Sequence, residues 1–248
     1  MKVIDVFNFL NHKYPVDTAC DFDNVGLLIG DDEQTVTKAL ISLDCTLNTI
    51  DDAITNGCEL IITHHPIIFN PLKNVLKGSI PYEVIRNKLS VISMHTNLDT
   101  GTGGVNDRLC DTLSPLSVET VIASDGYALR KCTISPISAD TLADSLKSSL
   151  GGSIKYTDSG KMIKTVLVCS GSGGGFIYDA KDFDCDALVT ADVKHNHFLD
   201  ADRFGISLFD AGHFNTEDVV IEPLKDLLQT EFSGITFMTN HNNVIKNR

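Results

Sequence analysis

The chain contains no tryptophan, and aromatic residues fill only 7% of its 248 positions, so aliphatic side chains must build most of the core. Basic residues are also scarce: 20 Lys and Arg stand against 33 Asp and Glu, for a formal charge of −13. Affinity for nucleic acid comes largely from Lys and Arg on phosphates, so this balance disfavours a nucleic-acid partner. It suits cations, although scattered acids also serve as a plain solvated surface. The seven cysteines are odd in number and never spaced Cys-x-x-Cys. That pattern predicts reduced thiols in a cytoplasm and speaks against a disulfide frame or a thiolate zinc site. No apolar run approaches the roughly 18 residues of a membrane span, so no membrane partner is expected. The start, Met1-Lys2-Val3-Ile4-Asp5, has an acid where a secretory signal is apolar. A Gly-x-Ser-x-Gly elbow and a P-loop are also missing.

Hydrophobic residues make up 42% of the chain, enough to bury a substantial core. Short β-branched runs alternate with helical patterns from residue 26 to residue 113, the mark of a mainly parallel sheet covered on both faces. Residues 114–125 have no clear period, and the sequence places a domain boundary there, giving domains 1–124 and 125–248. The second half repeats the alternation. Its Val168…Cys185-Asp186-Ala187-Leu188-Val189-Thr190 echoes Ile41…Cys58-Glu59-Leu60-Ile61-Ile62-Thr63 at equal spacing. The expected fold class is α/β, with two similar α/β domains facing each other and the C-terminal segment packing back on the first.

Potential ligands gather where strands are expected to end. Leu60-Ile61-Ile62 reads as a strand that stops before His64 and His65, because Pro66 breaks the extension and lets both imidazoles serve one site. Asp99 follows another strand end, and His213 and Glu217 are four apart, on one face if a helix has begun. Three imidazoles and two carboxylates suit zinc, manganese or iron, and suit calcium poorly. Five protein ligands exceed what one catalytic zinc takes, whereas two metals would use them all. His95 shares a turn with Asp99 and reads as a general base, as a partner supporting a ligand, or as a bond to the turn backbone. Asp192, Lys194 and His195 end the strand that echoes the His64 strand, within reach of the same site. Asp23 and Asn24 either orient a ligand or cap the turn before Gly26. Gly171 and Gly173, in the glycine run 171–175, either cradle a phosphate or form a flexible turn.

Four motifs, Asp23-Asn24-Val25-Gly26-Leu27, Ile62-Thr63-His64-His65-Pro66, His95-Thr96-Asn97-Leu98-Asp99 and Gly212-His213 with Glu217, occur in the order and spacing of one family. The chain resembles the GTP cyclohydrolase I type 2, or Nif-three-like, family nearly end to end. The resemblance implies two α/β domains flanking a metal-binding cleft, two divalent metal ions per chain held by His64, His65, Asp99, His213 and Glu217, and a ring-shaped homohexamer. It further implies a hydrolase acting on GTP or another nucleotide through metal-activated water. The rival expectation is a metal-binding scaffold or metal chaperone that turns over nothing. Phe22 stands where the family usually has Trp, and the long insert of some members is absent, as in short bacterial members.

Overall fold

The computed structural model describes residues 1–246, and the chain divides into two compact units. Met1–Gly101 and Ile221–Val244 form the first, and Thr102–Val220 form the bulk of the second.

The first unit opens with α1 (Val3–Lys13), which buries Val3, Val6 and Leu10 along one stripe. Then come β1 (Gly26–Ile29), β2 (Lys38–Ser42), α2 (Leu47–Asn56), β3 (Leu60–Thr63), α3 (Ile80–Arg86), β4 (Ser90–Ser93) and α4 (Thr96–Thr100). The Thr46 hydroxyl caps α2 by accepting the N–H of Thr49, and Gly57 ends it at φ 68°, a conformation that favours glycine. The strands lie in the order β1-β4-β3-β2. β2, β3 and β4 run parallel, with Ser42 beside Thr63 and Thr63 beside Ser93, so their carboxyl ends are level. All four residues of β3 and of β4 are buried, as expected for strands covered on both faces.

The second unit begins with α5 (Val105–Asp111), β5 (Ser117–Ile122), β6 (Ala128–Ile137), α6 (Ala139–Leu150) and β7 (Lys155–Tyr156). It continues with β8 (Ile163–Ser172), α7 (Ile177–Asp182), β9 (Ala187–Ala191), α8 (His195–Phe204), β10 (Ser207–Asp210) and α9 (His213–Glu217). Its sheet has the order β5-β6-β8-β9-β10-β7. Alternate residues feed two cores: Val168, Val189 and Phe209 on one face, Leu167, Leu188 and Leu208 on the other.

The chain then returns to the first unit through α10 (Ile221–Glu231) and β11 (Thr236–Asn240), which adds to β2 in parallel. The boundary therefore falls after Gly101 and not at 124–125. β5 fills the stretch that has no period in the sequence, because it is an edge strand whose residues are almost all exposed and no buried face imprints an alternation. The architecture is α/β with two mixed sheets. The first is mainly parallel, with only β1 antiparallel to its neighbour. In the second, the parallel trio β8-β9-β10 is flanked by antiparallel β5, β6 and β7.

The sequence echo is a structural one. Ile41 pairs with Ile62 as Val168 pairs with Val189. Glu59 accepts the backbone N–H groups of Thr37 and Lys38, and Asp186 accepts those of Lys164 and Thr165 at the matching positions. Gly57 and Asp184 both adopt left-handed backbone ahead of these acids. The last strand of each set is followed by a five-residue helix, α4 after β4 and α9 after β10. Among the described residues, no helix is long and apolar enough to cross a membrane.

Candidate metal centre

In an open α/β sheet, ligands gather outside the carboxyl ends of the strands. In the first unit the level ends of β2, β3 and β4 deliver Asp44, the His64–His65 pair and His95 to one edge. One donor nitrogen from each of His64, His65 and His95 lies within 4.8 Å of the others. The rings stand 4.9 to 5.6 Å apart between centroids.

Each ring is fixed through Nδ1. His64, 2% exposed, donates from Nδ1 to the carbonyl oxygen of Met94 at 3.0 Å. His65 donates to Asp44 Oδ1 at 2.9 Å, and His95 to Asp23 Oδ1 at 2.9 Å. Carbonyl and carboxylate oxygens only accept, so the Nδ1 atoms carry the protons and the Nε2 atoms present the lone pairs that a cation uses. Asp99 is buried on α4, and its Oδ1 lies 3.5 Å from His64 Nε2. Two electron-pair donors facing each other in a buried place are what a divalent ion satisfies. On donor chemistry, these residues fit a metal.

Asp23 has no exposed side-chain surface. It also accepts the Thr96 N–H at 3.0 Å and the Thr96 hydroxyl at 2.6 Å. Burial pushes its pKa up, but the hydrogen bonds from His95 and Thr96 outweigh that and hold it well below the usual carboxylate range. It ties the His95 ring and the start of α4 together. Asn24 ties the Ile68 carbonyl through its amide, so it secures the loop after His65.

In the second unit, α9 starts at His213, and this puts His213 Nε2 3.1 Å from Glu217 Oε2 one turn on. His213 Nδ1 donates to Asp192 Oδ2 at 2.7 Å. Asp192 holds left-handed backbone at φ 51°, an uncommon state for a residue other than glycine. The hydrogen bond between His213 and Glu217, opposed by burial and reinforced by Asp192, raises the His213 pKa to about 9. Glu217 is 3% exposed and passes close over Gly171, where a Cβ would stand 2.1 Å from Glu217 Oε1. A Cβ on Gly173 would stand 2.4 Å from Thr190 Oγ1. Both glycines are required by packing, and their amides are already engaged with Thr216 Oγ1 and the Gly171 carbonyl. At these two positions the loop is a close approach of backbone to side chain. Lys194 and His195 are exposed at the start of α8, outside the clustered donors.

Asp44 is the residue that sequence reasoning missed. It is the first acid past the end of β2, and the parallel register of β2 and β3 is what sets it beside His65.

Comparisons with known proteins concern the chain as a whole. The Duf34/NIF3 (NGG1p interacting factor 3) family model matches residues 1–246. A "GTP cyclohydrolase 1 type 2 homolog" of Clostridium perfringens is 34% identical over 255 aligned residues, covering 95% of each chain. A protein of the same name from Clostridium acetobutylicum is 35% identical, covering 88% of this chain and 85% of its own. A crystal structure of a Staphylococcus aureus hypothetical protein superposes with a TM-score of 0.93 at 28% identity, covering 100% of this chain and 99% of its own.

Proposed function

The chain belongs to the Duf34/NIF3 family, and from that premise we propose that it is a divalent-metal-dependent hydrolase of the GTP cyclohydrolase type 2 kind. His64, His65, Asp99, His213 and Glu217 would hold two ions. Zinc, manganese and iron all suit three imidazoles and two carboxylates. Bound there, such ions supply Lewis acidity and bring the pKa of a water near neutrality.

The observation that carries the reading is the shared tethering of the imidazoles. Nδ1 of His64, His65 and His213 each meets an acceptor, which turns Nε2 of His64 toward Asp99 and Nε2 of His213 toward Glu217, the carboxylates that would share an ion with them. His95 is tethered in the same way, and in this reading it serves as the base. With Nδ1–H held by Asp23, its Nε2 takes the proton from the attacking water, and the anionic Asp23 stabilises the imidazolium that results. The substrate is a purine nucleotide, GTP first, whose ring is opened by that water. The working form is a ring-shaped homohexamer in the cytoplasm.

The test is GTP consumption by protein purified with its metal retained. Turnover that Asp99→Ala and Glu217→Ala both abolish supports the hydrolase. Full metal content without turnover of GTP or other nucleotides favours the metal scaffold. Two ions retained in both variants would overturn the ligand assignment.

A further inference from the structure

His65 is the most exposed of the first unit's clustered donors at its strand end, with 26% of its side chain accessible. An imidazole in such a position rotates and moves its proton between nitrogens unless something holds it. Asp44 does so. It leaves β2 two residues after Ser42, and its Oδ1 meets His65 Nδ1 at 2.9 Å. The strand ends themselves are tied together, because the His65 N–H donates to the Leu43 carbonyl at 2.9 Å. The Ser42 and Thr49 hydroxyls donate to the backbone carbonyl of Asp44, so the loop is held at this point through main chain as well as through the carboxylate.

The second unit repeats the device with the roles exchanged. Asp192 occupies the position that matches His65 in the internal repeat, directly after β9, and there the strand end supplies the carboxylate. The imidazole, His213, comes from the helix that follows the next strand. Its Nδ1 meets Asp192 Oδ2 at 2.7 Å. The left-handed backbone of Asp192 persists at the residue whose side chain makes this bond.

We infer that Asp44 is a positioning residue of the metal site, fixing the ring and tautomer of His65 as Asp192 fixes His213. Both residues act through an imidazole and neither is a ligand. The inference rests on the metal reading proposed above. Removing a carboxylate that supports a liganding histidine typically costs 10–100-fold in metal affinity.

The experiment is competition for zinc between the full-length protein and a chromophoric chelator, for wild type, Asp44→Ala, Asp44→Asn and Asp192→Ala. Asp44→Ala should bind zinc about 10–100-fold more weakly than wild type while reaching the same stoichiometry at saturation. Asp44→Asn keeps an oxygen that accepts from Nδ1–H, and should recover part of the loss. Thermal unfolding without metal should match wild type for Asp44→Ala, because half of that side chain already lies in solvent. An Asp44→Ala affinity within twofold of wild type, or an Asp44→Asn no tighter than Asp44→Ala, overturns the inference. Wild type that fails to bind one ion would instead count against the metal reading itself.

Discussion

At the residue scale, the site consists of imidazoles held from behind. Asp23 shows how far such support goes: buried, it accepts from His95, from Thr96 twice and from the Asn24 N–H. A folded pKa depressed below the unfolded value means stability that is present above about pH 4 and is lost as pH falls through the folded pKa. Asp23→Ala should therefore lower stability at pH 7 by about 1.5–3 kcal/mol, the worth of hydrogen bonds to a charged group. The deficit should shrink on acidification below pH 4, as read by denaturant unfolding across pH. His213 has the opposite sign. Its pKa is raised to about 9, so in metal-free protein its ion pair with Glu217 stabilises fully below about pH 6.5 and is lost as pH rises through 9. His213→Gln should remove that alkaline limb from the metal-free stability profile. The same proton must leave when a metal takes Nε2, so zinc uptake near pH 7.5 should release protons, measurable in two buffers of different ionisation enthalpy.

At the element scale, strands and helices with one buried face were legible in the sequence, and the exceptions have physical causes. β3 shows as a continuous apolar run, Leu60-Ile61-Ile62, because both of its faces are covered, whereas the equally buried β4 has only Val91-Ile92 between two serines. β5 shows no period, since no face of it is buried enough to leave a pattern. His64 and His65 stand out in the sequence because they directly follow the apolar run of β3, and Asp99, His213 and Glu217 because they fall on the short helices that follow β4 and β10. Asp44 does not, because its partner is far in sequence and only the parallel register of β2 and β3 brings the two together. The packing of the glycine run is hidden from the sequence for a similar reason. Nothing in sequence says that Glu217 will lie over Gly171, whose φ is also left-handed at 58°. Gly171→Ala should cost about 1–3 kcal/mol through overpacking and displace Glu217, lowering metal content and stability together. Gly175, where a Cβ would meet nothing within 4 Å, should accept alanine with little change in either.

At the scale of the whole molecule, one β-α-β design is used twice, and each copy places its chemistry at the carboxyl ends of parallel strands. The repeats have diverged at the strand ends and not in the scaffold. Glu59 and Asp186 still brace matching backbone amides, while His65 and Asp192 have taken different parts. Removing either brace, by Glu59→Ala or Asp186→Ala, should cost comparable stability in its own unit, because each leaves two backbone N–H groups without their acceptor. The two-ion site is read out by the number of divalent ions per chain, counted by elemental analysis after reconstitution with zinc or manganese and removal of free metal. Wild type should hold close to two ions, and fewer when His64 and His65 are both replaced by alanine. Fewer than one ion per chain in the wild type, with the protein folded, would contradict it.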